Sequence, residues 1–160
     1  MSNPATTENV WAAINKELFA VLGMVTDQNQ SRTVGILYIV NDRKFYIGTG
    51  IRTWKARHIA KNPSVSLTIP IAKRIPVAPW VKIPQASITC SGAAAVIPGD
   101  EAPAGLLKEV FRHKAEDPEF MKDNCLIEVI PEGDFITYGI GIPLIKMSQP
   151  ELSRGRAPVD

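Results

Sequence analysis

Residues 43–69 constrain the fold of this chain more than any other stretch. Phe45, Tyr46 and Ile47 favour a strand, and Gly48-Thr49-Gly50 breaks the run. Thr53 is placed to cap a helix, its hydroxyl accepting from an otherwise unpaired backbone N–H. Residues 54–61 then carry Lys55, Arg57, His58 and Lys61 beside Ala56, Ile59 and Ala60. Asn62-Pro63 ends that helix, because proline disfavours helical backbone in the residue before it. Val65, Leu67 and Ile69 alternate with Ser64, Ser66 and Thr68, the period of a half-buried strand. A turn of small residues opening onto a helix N-terminus, with a Thr hydroxyl and a Lys nearby, suits a phosphate. Spacing alone favours a helix cap beside a solvated lysine.

The other elements follow from local signals. Trp11, Ile14 and Leu18 form one apolar stripe, with Thr7 or Asn9 available as the cap of a first helix. Residues 19–26 read as a strand, followed by the polar turn 27–30. Residues 33–40 and 44–48 then read as a hairpin about Asn41-Asp42. Residues 64–69 form the next strand, and 70–84 are an irregular excursion with four prolines and Trp80. Residues 85–97 alternate imperfectly, and Gly92 inside them marks a bulge or a close backbone approach. A helix is expected over 101–114 and a short one over 118–122, followed by a final hairpin of 126–130 and 134–141. About seven antiparallel strands closing on themselves, with helices outside, give an α+β, mainly β chain with barrel architecture. Residues 1–141 read as one domain. Residues 142–160 read as a tail with no clear period, basic at Arg154 and Arg156 and mobile by composition.

Composition excludes several classes. With 160 residues, 45% hydrophobic and 21% charged, the chain is neither disordered nor a bundle of membrane helices. Its N-terminus lacks the basic and apolar regions of a signal peptide, so a cytoplasmic location is expected. Cys90 and Cys125 are isolated, which gives no zinc pattern and no expected metal. A formal charge of +2 is too slight to imply nucleic acid by itself, although Lys55, Arg57, Lys61, Lys73 and Arg74 supply scattered cations. No catalytic motif for a triad, a zinc protease, a Walker loop or a dinucleotide fold is present, so no catalytic residue is assigned.

The order strand, Thr53-Trp54-Lys55 on a short helix, Asn62-Pro63, then a Val/Ser/Leu-rich strand resembles the pyridoxamine 5'-phosphate oxidase-like, FMN-binding split-barrel superfamily. The resemblance runs from about Val10 to Tyr138. It implies an antiparallel split β-barrel that binds FMN, with Thr53 and Lys55 holding the phosphate. Trp54 stands where the family often has Arg. Arg32, Thr33 and Val34 match a run that touches the cofactor, with Gly35 leaving room for a flat ring. Ile47, Gly48 and Thr49 match a segment facing the flavin, and Ser87 lies where a polar residue meets the ring. Leu37-Tyr38 occupies the place where stricter members carry a Lys, a departure that bears on substrate.

The resemblance also implies a homodimer with the flavin at the subunit interface, the tail contacting the partner, and redox activity on a small molecule. The alternatives it leaves are a deazaflavin or haem cofactor, and a flavin-binding sensor or carrier without turnover. The bland alternatives are a surface residue for Arg32, core or interface packing for Trp54 and Trp80, and solvated histidines for His58 and His113.

Overall fold

The computed structural model describes residues 5–73, 75, 77, 78 and 80–160. The elements are α1 (Thr7–Ile14), β1 (Phe19–Val25), β2 (Ser31–Leu37), β3 (Ile39–Asn41), β4 (Lys44–Gly50), α2 (Trp54–Lys61), β5 (Ser64–Ile71) and β6 (Ala86–Pro98), then α3 (Ala104–Phe111), α4 (Pro118–Lys122), β7 (Asn124–Tyr138), α5 (Pro150–Ser153) and β8 (Arg154–Pro158). All pairings are antiparallel, in the order β2-β1-β5-β6-β7-β4-β3, with β8 added to β7. The two ends of that order, β2 and β3, follow one another in the chain through Tyr38. One path therefore pairs with β1 in its first half and with β4 in its second. That continuity wraps the sheet into a split barrel. It also corrects the single expected strand 33–40, which changes partner at Tyr38.

The alternation read in the sequence sorts side chains between two sides of the sheet. Ala20, Leu22, Met24, Val65, Leu67, Ile69, Ile88 and Cys90 point into one core, where Trp11 and Ile14 of α1 and Ile59 of α2 join them. Phe45 is fully buried, its ring 5.5 Å from Trp11 and 5.3 Å from Tyr38. A second cluster of Tyr46, Leu106, Leu107, Met121 and Leu126 lies on the outer side of β4 and β7, under α3 and α4. Both faces of these two strands are thus covered, so Phe45-Tyr46-Ile47 and Cys125-Leu126-Ile127 read as unbroken apolar runs.

Several local expectations are revised. Thr6, rather than Thr7 or Asn9, caps α1 by accepting from the Asn9 N–H. The helix expected over 101–114 narrows to Ala104–Phe111, with Pro103 before it and a 3₁₀ turn, Arg112–Glu116, after it. The expected hairpin about Pro131-Glu132-Gly133 is a single long strand, β7. Its bend is a bulge: Thr89 pairs with Ile136 but Ser91 pairs with Glu132, so β7 carries two extra residues, with Gly133 at φ 74°. Gly92 faces this bend, where a Cβ would collide with the Ile130 carbonyl. The partner of the strand's last part is the tail. Arg154–Pro158 pairs with Asp134–Tyr138, and Ala157 and Val159 enter the core, so this segment is not the mobile end its composition suggested. Among the described residues, no helix is long and apolar enough to cross a membrane.

Candidate functional site

Two clusters of the expected residues lie near opposite ends of α2. At its N-terminus, β4 ends at Gly50 and the chain turns into the helix. Thr53 caps it, accepting from the Ala56 N–H and donating its own proton to the Gly50 carbonyl at 2.8 Å. The Thr49 hydroxyl, on buried Thr49, lies 3.3 Å from that of Thr53. Lys55 is half-buried on the first turn and has no carboxylate within ion-pair distance among the described residues. Burial pushes the Cys125 thiol up, and the nearby Lys55 charge pulls partly the other way. A half-buried cation beside two hydroxyls and a helix N-terminus suits an anion. To donate to an anion, Thr53 would have to turn its proton away from Gly50.

At the other end, Lys61 reaches Asp27, in the turn between β1 and β2, at 2.9 Å. Beside that turn a groove of about 430 Å³ opens on the outer face of the sheet. Register explains its chemistry. Thr33 pairs with Gly23, Gly23 with Ser66, Ser66 with Ser91, and Ser91 with Glu132. This row of small, mostly hydroxylated residues crosses five strands, with Arg32, Ser31 and Ser64 beside it in the groove. Gly23 leaves room for the Ser66 hydroxyl, which a Cβ at 2.5 Å would oblige to turn. Arg32 is exposed and held locally, donating to the Ser31 carbonyl at 3.1 Å and to the Gln30 Oε1 at 2.9 Å. Lys55 is not among the residues lining this groove, which does include Arg32.

The remaining candidates are spread around these clusters. Val34 is half-buried on β2. The open side of Gly35 is taken by the Phe19 ring, which a Cβ would meet at 2.8 Å. Ile47 points into the core, and Gly48 gives α3 room, since a Cβ there would collide with Val110. Trp54 is 39% exposed, its ring 5.9 Å from that of His58. Ser87 is half-buried between Pro70 and Tyr138 on neighbouring strands, in a different row from the groove. Of the scattered cations, Lys61 is paired, Lys73 donates to the carbonyls of Gly139 and Ile142, and Arg74 lies outside the described residues. Burial pulls the Lys73 ammonium below the ordinary lysine range.

Sequence reading passed over Gly23, Ser66, Ser91 and Glu132 as candidates. Their signal was the polar half of the strand alternation, which gains meaning only once the strands are in register. It also passed over the Tyr46 hydroxyl, which donates to Glu128 at 2.8 Å. Burial first, and then that carboxylate, push the tyrosine up to about 12. Among the described residues, no group of three or more His, Cys, Asp or Glu is placed to hold a metal ion.

The fold has many solved counterparts. General Stress Protein 26 from Bacillus anthracis is 18% identical, with TM-score 0.61, over 86% of this chain and 95% of that one. A heme binding protein from Mycobacterium smegmatis is 18% identical, with TM-score 0.65, over 87% of this chain and 56% of that one. A FAD-binding protein from Mesorhizobium loti is 13% identical, with TM-score 0.59, over 81% of this chain and 90% of that one. At these identities the likeness is one of fold. No curated protein matches the sequence significantly. The family model described as pyridoxamine 5'-phosphate oxidase matches residues 6–133, most of the chain and every strand of the barrel up to the bend in β7. With that match and this strand order, the chain belongs to the pyridoxamine 5'-phosphate oxidase family of split β-barrels.

Proposed function

We propose that two copies of this chain bind FMN between them and act as an oxidoreductase on a small molecule. The observation that carries the reading is Lys55: a half-buried cation without a carboxylate partner, at the start of a helix, in a chain of this family. Lys55 and the Thr49–Thr53 hydroxyl pair hold the phosphate. Thr33 on the outer face of β2, Arg32 next to it at the strand's exposed start, and the backbone at 47–49 position the ring. Bound FMN supplies hydride transfer to or from the substrate. The protein's part is to orient the two partners and keep water from between them. The carboxylate at this corner, that of Asp123, is engaged by Arg52.

A dimer is supported by the distribution of the candidates. Arg32 and Lys55 are separated by α2, and the outer face of β2, β1, β5 and β6 is exposed or half-buried in one chain. A second copy laid on that face would cover it and bring the two sets together. The absorption spectrum of the freshly purified protein separates flavin, with its twin visible bands, from haem. Lys55→Ala is expected to weaken FMN binding about tenfold, or ~1.4 kcal/mol, as for one charge-assisted contact. Unchanged affinity in a fluorescence titration of the folded variant would remove Lys55 from the site.

A further inference from the structure

The clasp proposed for the phosphate has an aromatic residue between Thr53 and Lys55. Helix α2 turns Ala56 and Ile59 inward, each almost completely buried, and Ile59 joins the main core. At about 100° per residue, Trp54, Arg57, His58 and Lys61 therefore share the opposite, solvent side, with Lys55 on a flank next to Trp54. The Trp54 indole meets the His58 ring one turn further on at 65° and is more than a third exposed. None of these four residues lines the groove on the outer sheet face, where the second copy is proposed to lie.

Charge on this side of the helix is of one sign. Arg57 is exposed and forms no ion pair with any other described residue. Asp and Glu are absent from residues 43–99 altogether. The carboxylates that flank α2 at its two ends are engaged, Asp123 by Arg52 and Asp27 by Lys61. A partly exposed indole beside an unpaired guanidinium suits a base together with a phosphate. The base stacks on the ring, and the phosphate takes the planar fork of donors. Trp54 is the immediate neighbour of both clasp residues, and Arg57 lies within one turn of Lys55. A second phosphate joined to the first, and a base beyond it, would lie along this side of the helix.

We infer that the solvent side of α2 is a subsite for an adenylate group, so that the chain prefers FAD, which is FMN with an adenylate on its phosphate, to FMN itself. Arg57 holds the second phosphate, and the adenine lies on Trp54 beside His58. The inference rests on the proposed function for the position of the FMN half. An additional charge alone would use Arg57 and gain nothing from the indole, so Trp54 separates a base from a merely longer anionic tail.

Calorimetric titration of the flavin-free full chain with FMN and with FAD tests this. FAD is expected to bind about tenfold more tightly, as for one base stacked on an aromatic ring. Trp54→Ala is expected to bring FAD affinity down to that of FMN and to leave FMN affinity unchanged, while Trp54→Phe keeps most of the preference. Arg57→Gln is expected to lower FAD affinity and to flatten its dependence on salt. All three substitutions are on the solvent side of the helix, and circular dichroism checks that the variants are folded. Equal affinities for the two flavins, a preference for FMN, or a preference for FAD that survives in Trp54→Ala would overturn the inference. So would an equal loss of both affinities in Trp54→Ala, because the indole would then serve the FMN half. FMN binding without a preference for FAD sinks only the subsite, whereas binding of neither flavin sinks the cofactor reading and the subsite with it.

Discussion

A chain ending at Ser153 is expected not to fold. The removed segment supplies β8, which pairs with five residues of β7 from Asp134 to Tyr138. It also supplies Ala157 and Val159, each almost completely buried in the main core. Three hydrogen bonds tie it down: the Trp11 indole donates to the Val159 carbonyl at 2.9 Å, the Thr7 hydroxyl to the Pro158 carbonyl at 2.7 Å, and the Val159 N–H to the Gly133 carbonyl at 3.1 Å. Truncation leaves the Trp11 donor buried without its partner, at a cost of ~1–3 kcal/mol for one such group. It also opens the edge of β7 and uncovers the apolar side chains beneath. Together these losses approach the ~5–15 kcal/mol that holds a whole domain folded. Circular dichroism and solubility report the outcome. A truncated chain that melts at the temperature of the full one would show that the tail merely decorates the barrel.

The second large effect is expected at Phe45. This ring has no exposure and sits where α1 meets the barrel, tilted against Trp11 and edge-on to Tyr38. Tyr38 is itself fixed by its hydroxyl, which donates to the Ile14 carbonyl at 2.8 Å. Phe45→Ala therefore empties the junction of α1, β4 and the β2–β3 bend together, and neighbours pinned by hydrogen bonds cannot collapse into the space. A loss of ~3–5 kcal/mol is expected. For a chain of this size that lowers Tm by roughly 6–20 °C. Chemical denaturation monitored by tryptophan fluorescence measures it, and a loss under about 1 kcal/mol would mean that the site relaxes freely, contrary to this packing.

Local chemistry made much of this molecule legible in its sequence. The helix 54–61, its Thr53 cap and the Asn62-Pro63 stop are read and found alike. So are the short helix 118–122 and the starts of β1 and β5, because each depends on neighbours in sequence. What failed depended on distant partners. Pro131-Glu132-Gly133 has the composition of a turn, yet it forms the bend of one strand because β6 pairs along both sides of it. Arg154–Pro158 has no apolar alternation, and its strand exists only because β7 offers a free edge. The site divides the same way. The cap at Thr53 follows from local sequence and the candidacy of Lys55 from the family resemblance, whereas the row Thr33, Gly23, Ser66, Ser91 joins four strands whose register no local signal fixes.

The clasp at the start of α2 is tested most directly by titrating the full chain with FMN and with riboflavin, which has the same ring and no phosphate. If Lys55 and the Thr49–Thr53 pair hold the phosphate, FMN binds at least tenfold more tightly than riboflavin, and Lys55→Ala removes most of that difference while leaving riboflavin affinity unchanged. Equal affinities for the two flavins, or a preference for FMN that survives in Lys55→Ala, would contradict the account.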